Sequence, residues 1–298
     1  MTQIYEKVTG QLVQMLEAGQ GLRGWIRPWV IQKPTNLRTG HRYSGLINLM
    51  TLGFQSLLKG YSDALWASYQ QVRQAGGHVK AGEKSTTVIF CKTVGAKTAS
   101  LDEATVESAV DVSEAEPKRR RYRVYKLYPL FNLSQTTLAP EKFRERFGKP
   151  APSADEVTAK AEAWIGGIDH KVIFGGSVAA YLRKRDVIRM PNKQDFLTEH
   201  DYISTYAHEL GHFTGHEIRL NRPLAGIRDS DEYRHEELVA ELTSALICAD
   251  YGIDSERVQS PEYLNHWLSQ MRKEPKYLFE VAGHANKAAE YLRQAAKP

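Results

Sequence analysis

The sequence predicts an α+β protein of two domains, an N-terminal α+β domain and a C-terminal, mostly helical domain with a small sheet. At 298 residues the chain is longer than most single hydrophobic cores. Its composition, 42% hydrophobic and 25% charged, is that of an ordinary globular protein. Strand-like segments alternate with helical ones before residue 135, whereas helical spacing dominates after residue 156. We therefore predict domains at 1–135 and 156–298, with a proline-punctuated linker at 136–155.

The first domain is predicted to contain helices and one strand pair. Three segments have helical spacing: MTQIYEKVTGQLVQMLEAG, INLMTLGFQSLLKG and SDALWASYQQVRQAGG. Two segments, TTVIFCKTV and YRVYKLYPLFNL, are rich in β-branched and aromatic residues and predict strands. Residues 95–121 between them are small and acidic, then basic, which predicts a solvated, flexible insertion around which the strands pair.

The second domain is predicted to begin with the helix DEVTAKAEAWIGGI. DHKVIFGG and AYLRKRDVIRMPN contain short strand candidates. TEHDYISTYAHELGHFTGHEI follows as a helix with Thr198 as its N-cap, because threonine oxygens accept hydrogen bonds from the first turn. DEYRHEELVAELTSALICADYG is a second long helix, and helical spacing continues to the C-terminus.

Composition also indicates where the protein acts. No apolar run approaches the roughly 18 residues that a membrane span needs. The N-terminal segment lacks the apolar block of a signal peptide, so we expect a cytoplasmic protein without a membrane partner. Cys91 and Cys248 lie far apart in apolar segments, which favours buried thiols over a disulfide or metal ligands.

The two predicted domains differ in charge. Residues 1–135 contain 18 Lys and Arg against 10 Asp and Glu, which gives a net charge of +8. Residues 136–298 contain the remaining 22 basic and 25 acidic residues, which gives a net charge of −3. Six of those ten acids lie in 102–116. A basic half beside an acidic half is typical of a polyanion-binding module joined to another function. A basic solvated face explains the charge equally well.

The strongest chemical signal is His208-Glu209-Leu210-Gly211-His212, which matches H-E-x-x-H. Histidines four residues apart on a helix lie one above the other, so both imidazoles can bind one Zn²⁺. The glutamate between them then serves as general base for a water. We predict His208 and His212 as metal ligands and Glu209 as the catalytic residue.

A catalytic zinc site needs a third protein ligand. The metzincin pattern would place a histidine at position 218, but this residue is Ile218. His216 is eight residues from His208, one turn too far along the same helix to share a four-coordinate ion. The third ligand is therefore expected outside this helix.

The downstream segment EELVAEL offers three carboxylates, Glu236, Glu237 and Glu241. Glu237 and Glu241 share one helical face beside the apolar stripe, whereas Glu236 is expected to point further round. We predict that Glu237 is the third ligand and that Glu241 orients a ligand histidine from behind. Exchanged roles for these two carboxylates, or solvated helix acids, are the alternatives.

Basic and aromatic residues are interleaved in a Gly/Pro-rich stretch of the first domain. Single-strand binders combine such cationic groups with aromatic rings on which bases stack. The candidate DNA-binding residues are Arg23, Trp25, Arg27, Trp29, Lys33, Arg38, Arg42 and Tyr43, with Lys80 and Lys84 extending the surface. The alternative is that the aromatic residues belong to the core, and we expect this of Trp66 and Tyr69 on their predicted helix.

Several segments carry a family resemblance. PTNLRTGHRYSGLINLMTL, WASYQQVRQAGGHVKAGEKSTTVIF and FNLSQT resemble the N-terminal domain of the plasmid ArdC antirestriction proteins. AAYLRKRDVIRMP, HELGHFTGHEIRLNR and EELVAEL resemble their C-terminal zincin-like metallopeptidase domain, which is itself similar to SprT-like proteases. The resemblance covers nearly the whole chain apart from residues 95–121.

This resemblance implies both a function and a set of site residues. It implies single-stranded DNA binding by the N-terminal domain and protection of incoming conjugative DNA from host restriction. It assigns His208 and His212 to the metal, Glu209 to catalysis and Glu237 to the third ligand position. Zn²⁺ is the expected metal, with Mn²⁺ as the alternative.

Three functions remain open at this stage. The first is an antirestriction protein that couples a single-stranded-DNA-binding module to a metallopeptidase domain. The second is a zinc metalloprotease recruited by DNA to its substrates, which would be host restriction-modification proteins or other DNA-bound proteins. In the third, the metal-binding domain is catalytically silent and docks on restriction subunits.

Overall fold

The computed structural model describes residues 2–18, 33–95, 109–111, 121–147, 153–223, 230–254 and 261–296. Helices and two small sheets make up these residues, which confirms the predicted α+β class. The helices are α1 (Thr2–Ala18), α2 (Leu46–Lys59), α3 (Tyr69–Gln74), α4 (Pro140–Phe147), α5 (Ala154–Gly167), α6 (Glu199–Thr214), α7 (Asp231–Tyr251), α8 (Pro261–Lys273) and α9 (Lys276–Ala295). None of them is long and apolar enough to cross a bilayer.

The first sheet lies in the N-terminal half. Its strands are β1 (Thr35–Asn36), β2 (Leu65–Ala67), β3 (Thr86–Gly95), β4 (Ala109–Asp111) and β5 (Arg121–Asn132), in the order β1-β2-β5-β3, with β4 also paired to β5. β3 and β5 are antiparallel, from Thr86 opposite Leu130 to Gly95 opposite Arg121. This pairing confirms the predicted strand pair, and β4 lies within the predicted insertion.

The predicted helix over SDALWASYQQVRQAGG is mostly wrong. Leu65–Ala67 instead forms β2, because Trp66 is fully buried and pairs with Asn132 of β5. The helix begins only at Tyr69, where the side chain of Ser68 accepts a hydrogen bond from Gln71 N and a capping box closes. Trp66 is a core residue as expected, whereas Tyr69 is 55% exposed.

The second sheet is a three-stranded unit beside α6. Its strands are β6 (Lys171–Phe174), β7 (Ala180–Leu182) and β8 (Val187–Met190), in the order β6-β8-β7. β6 and β8 are parallel, and β7 runs antiparallel to β8 along one edge. The strand candidates of the second domain are thereby confirmed.

The largest hydrophobic core crosses the predicted domain boundary. Leu12 on α1 and Met50 on α2 belong to the same buried cluster as Leu278 and Ala282 on α9. Such a shared core means that each half buries apolar surface of the other.

Residues 140–147, within the predicted linker, form α4. Phe143 packs with Leu65 and Leu133, and Arg144 forms an ion pair of 2.8 Å with Asp63. This part of the segment is therefore attached to the first sheet, and the domain boundaries stay a prediction.

Candidate metal centre

The metal centre is built on two antiparallel helices, α6 and α7. Contacts between them run in opposite directions along the chain: Ser204 with Ser244 at 2.8 Å, His208 with Glu241 at 3.3 Å and His212 with Glu236 at 3.2 Å. Thr198 caps α6 as predicted, with its side chain accepting a hydrogen bond from Asp201 N. Both helices present buried faces to each other, so their register fixes the site.

Gly211 determines how closely the two helices approach. A Cβ atom at this position would lie 3.0 Å from Ala240 Cα and 3.2 Å from the Ala240 carbonyl oxygen. Every larger residue would therefore push the backbones apart. The sequence shows the glycine, but only the packing reveals that it sets the distance between the histidines and the carboxylates.

Three donor atoms converge at the centre. Nε2 of His208 and Nε2 of His212 are 3.2 Å apart, and each lies 3.4 Å from an oxygen of Glu237. Two tetrahedral ligands with bonds of about 2.0–2.1 Å are separated by about 3.3 Å, so this spacing fits one divalent metal ion. Among the described residues, these three form the one group of donors with metal-site geometry.

A carboxylate lies behind each histidine. Nδ1 of His208 is 3.3 Å from Oε2 of the buried Glu241, and Nδ1 of His212 is 3.2 Å from Oε1 of Glu236. A proton on Nδ1 directed at a carboxylate leaves Nε2 with its lone pair for a metal. Glu237 faces the Nε2 atoms, whereas Glu236, further round α7, still reaches the outer side of His212, a contact that was not predicted.

Arg222 fixes Glu236 from the other side. Its guanidinium is buried and donates to both oxygens of Glu236, at 3.0 and 2.7 Å. The same group donates to the Gly211 carbonyl and to Thr214 Oγ1, each at 2.8 Å. Arg222 thus connects the end of α6 to α7, a role that the sequence analysis did not assign.

The side chains of the centre shift one another's pKa values. Burial lowers the pKa of His212, but hydrogen bonds with Glu236 and Glu237 outweigh it and raise that pKa to about 10. Burial raises the pKa of Glu237, yet its hydrogen bonds with His208 and His212 hold this pKa well below its usual range. The pKa of Glu236 is lowered too, because Arg222 and His212 outweigh its burial. The two carboxylates therefore favour the charged form of His212, and His212 in turn favours the ionised form of both.

Glu209 lies between the two histidines in sequence and faces the second sheet. Its Oε2 accepts a hydrogen bond of 2.7 Å from the backbone N–H of Tyr181 on the edge strand β7. The side chain is buried, which strengthens its interactions with neighbouring charges. Glu209 thus contacts β7 and is close enough to His212 to raise the pKa of that histidine.

A second polar network holds β7 against the end of α6. Tyr181 Oη donates to Asp186 at 2.6 Å, and Arg219 donates to Tyr181 Oη at 2.9 Å. Arg219 also pairs with Asp186 and lies 3.6 Å above the Phe213 ring. Arg219 holds the pKa of Asp186 at about 2, mainly by hydrogen bonding. The network fixes the edge strand beside Glu209.

His216 lies beyond the end of α6 and outside the three-donor cluster. Its Nδ1 accepts a hydrogen bond of 3.3 Å from Ile218 N, within the turn that follows the helix. His216 therefore stabilises the turn that follows α6.

The described residues include only some of the predicted DNA-binding residues. Arg23, Trp25, Arg27 and Trp29 lie outside the described residues. Lys33 forms an ion pair with Asp250, Arg38 pairs with Gln74, and Lys80 donates to the Ser134 carbonyl.

The other predicted DNA-binding residues differ in exposure. Arg42 and Lys84 are exposed. Tyr43 is 4% exposed, and its hydroxyl accepts a hydrogen bond from Asn36. Its ring therefore supports the core and offers no open face to a base.

Comparisons with known proteins match both halves of the chain. Residues 2–131 match the family described as the N-terminal domain of anti-restriction factor ArdC. Residues 159–284 match the family described as zincin-like metallopeptidase.

Individual relatives are similar to this chain over nearly its whole length. The Sinorhizobium fredii protein y4eC is 30% identical over 98% of this chain and 92% of its own length. A DNA primase TraC of Escherichia coli is 30% identical over 97% of this chain, which spans 27% of that primase. Two crystal structures of the antirestriction ArdC protein from plasmid R388, one metal-free and one Mn(II)-bound, each superpose on this chain with a TM-score of 0.72. Their sequence identities to this chain are 30% and 29%, and each match covers 98% of this chain and 97% of the ArdC chain.

Proposed function

This chain belongs to the ArdC antirestriction family, and we propose that it binds single-stranded DNA and protects incoming conjugative plasmid DNA from host restriction in the cytoplasm. We also propose that its C-terminal half is a divalent-metal-dependent peptidase. The observation that carries the peptidase assignment is the separation of 3.2–3.4 Å among the donors of His208, His212 and Glu237. Glu209 next to these donors supplies the group that a merely structural metal site does not need.

The donor set supports Zn²⁺ as the metal. Two imidazoles and one carboxylate are the ligands of catalytic zinc in gluzincins, which leave the fourth position open. Mn²⁺ is the alternative, since the R388 ArdC protein has a Mn(II)-bound structure. When bound, such an ion supplies Lewis acidity that polarises a peptide carbonyl and acidifies a water molecule.

The chain's own residues transfer the proton and orient the side chains of the site. The Glu209 carboxylate accepts the proton of the attacking water and returns it to the amine that leaves when the peptide bond breaks. Glu236 and Glu241 lie 3.2 and 3.3 Å from Nδ1 of His212 and His208, where a carboxylate favours a proton on Nδ1. Tyr181 N–H holds Oε2 of Glu209 at 2.7 Å, which fixes the direction of the base.

The test is Glu209→Gln in the full chain, with Glu217→Gln, an exposed glutamate after α6, as the matched control. Hydrolysis of casein and of purified restriction subunits should fall by at least about 100-fold, since positioned general bases contribute roughly 10²–10⁴-fold. Metal content, measured by mass spectrometry of the protein, should stay at the wild-type level. Equal hydrolysis by both variants would refute the peptidase assignment.

The same variant separates the remaining functions. The similarity to part of a DNA primase TraC supports restriction-modification proteins or other DNA-bound proteins as the substrates. Plasmid transfer into a restricting host should lose its protection in Glu209→Gln if proteolysis is required. Protection that survives the substitution would instead favour a catalytically silent domain that docks on restriction subunits.

A further inference from the structure

A groove of about 830 Å³ lies between the first sheet and α9, and none of the metal-facing side chains lines it. Ile89 and Phe90 of β3 and Tyr125 of β5 line it on the side of the sheet, and residues between Lys276 and Lys287 line it on the side of α9. Tyr5 of α1 and residues between His41 and Asn48 also line it. The groove is therefore lined by both halves of the chain, and among its lining residues Tyr43 was predicted to bind DNA.

Aromatic rings lie on both sides of this groove. On the sheet side Phe90 is 43% exposed and meets Tyr128, itself 42% exposed, edge to face at 5.1 Å. On the helix side Phe279 packs against Tyr5 at 4.6 Å. Large exposed aromatic side chains are costly in water unless a ligand covers them. Planar rings on two walls are suited to planar ligands such as unpaired bases.

Exposed lysines lie in the groove and beside it. Lys126, which is not among the lining residues, is the direct cross-strand neighbour of Phe90 and is exposed on the same face of the sheet. Lys287 is exposed on the α9 wall. Glu280 is the single acid among the lining residues, and Lys276 neutralises it in an ion pair of 2.6 Å. The uncompensated charges that remain favour an anionic ligand.

We propose that this groove binds a segment of single-stranded DNA, with bases stacked on Phe90 and phosphates contacted by Lys287 in the groove and by Lys126 beside Phe90. The combination of a cationic groove and exposed rings is the arrangement by which proteins hold single strands without reading sequence. The bases of a duplex stack on one another and cannot stack on these rings. An apolar peptide has no charge that the lysines could attract. The inference rests on the proposed DNA-binding function and adds that α9 of the peptidase half forms part of the DNA site.

The experiment measures binding of a fluorescent oligothymidylate to the full chain by anisotropy over a range of salt concentrations. Phe90→Ala should weaken binding about 5- to 100-fold, the range of base-stacking losses on alanine substitution. The double variant Lys126→Gln/Lys287→Gln should reduce the slope of log K against log salt by about 1.4, since each contacted phosphate of a single strand contributes about 0.7. Lys160→Gln, an exposed lysine on α5 that does not line the groove, is the control for loss of a surface positive charge and should reduce the slope by much less than the double variant.

Photo-crosslinking locates the strand independently. An oligonucleotide with 5-iodouracil should attach to peptides of β3 or α9 in wild-type protein, and Phe90→Ala should reduce attachment to β3. Thermal melting of each variant verifies that it is folded, which is expected because the substituted residues are exposed.

The outcomes separate the two proposals. Wild-type protein that fails to bind the oligonucleotide would refute DNA binding itself and the groove together. Wild-type protein that binds while Phe90→Ala and the double lysine variant match Lys160→Gln would refute the groove alone. Crosslinks confined to other segments would also refute it.

Discussion

At the scale of single residues, carboxylates outside the donor set control how the metal-facing histidines are oriented. Glu236 and Glu241 each approach the Nδ1 atom of one histidine, and Arg222 holds Glu236 in turn. Such partners fix the tautomer and the ring orientation of a ligand histidine. The affinity for a metal ion should therefore depend on residues that never contact the ion.

Glu236→Gln should weaken metal binding about 10- to 100-fold, the usual effect of losing a carboxylate behind a ligand histidine. The substitution keeps the size of the side chain but removes the charge that Arg222 and His212 share. Competition with a coloured zinc chelator measures the affinity. Glu232→Gln, in the exposed first turn of α7, is the control, and equal affinities for the two variants would contradict the role of Glu236.

Asp186 gives a prediction about pH. Its pKa is lowered to about 2 in the folded protein, so its stabilising contribution is present above about pH 4 and is lost as the pH falls through 2. Asp186→Asn should lower stability at pH 7 by about 1 kcal/mol, a value reduced for partial exposure. Asparagine tolerates the positive φ of 48° found here, so the backbone should be unaffected.

The measurement for Asp186→Asn is the melting temperature from pH 7 to pH 2. The difference between wild type and variant should shrink as the pH falls, because the wild-type carboxylate becomes protonated and loses its ion pair with Arg219. A difference that stays constant over this range would contradict the assigned role of the charge.

At the scale of secondary-structure elements, the crossing of α6 and α7 is the critical feature. The side chains that face the metal come from both helices, so their separation decides whether three donors can share one ion. Gly211 permits the close contact with Ala240 that produces this separation.

Gly211→Ala should destabilise the protein by about 1–3 kcal/mol, the cost of adding a methyl group to a packed core. It should also weaken metal binding, because α7 must move away. Gly10→Ala in α1 has no atom within 4 Å of the added methyl group and should stabilise the protein by about 0.5–1 kcal/mol. Chemical unfolding and metal titration of both variants test this, and similar behaviour of the two would contradict the role of the crossing.

At the scale of the whole molecule, the two halves are joined by one core. Residues of α1 and α2 pack with α9, and Lys33 pairs with Asp250 at the end of α7. A fragment ending near residue 135 would expose this apolar surface, so the experiments proposed above use the full chain.

Metal binding should be detectable as a change in global stability. An ion at 100 times its dissociation constant stabilises the folded state by about 2.7 kcal/mol, which corresponds to a rise in melting temperature of roughly 5 °C. Glu237→Ala keeps both histidines but removes the third donor, and its rise should be much smaller. Calorimetry with and without zinc measures the rise in melting temperature for each protein. Equal rises for wild type and Glu237→Ala would contradict the prediction.

Some features were predictable from the sequence because they depend on local geometry. Four-residue helical spacing brings His208 and His212 together without reference to other elements. The Thr198 cap and the β3–β5 pair also depend on short-range patterns. Leu65–Ala67 was not predictable in this way, because its strand conformation arises from pairing with a segment more than 60 residues later.

The sequence by itself determined the α+β class, the H-E-x-x-H helix and the helix that supplies a carboxylate, since periodicity and residue spacing are properties of single elements. Only the tertiary structure decided that Glu236 and Arg222 support His212, that Gly211 sets the helix separation, and that a groove lies between the two halves. Each of these depends on the distance and orientation between elements remote in the chain. That geometry is fixed by the packing of the shared core, which no local pattern specifies.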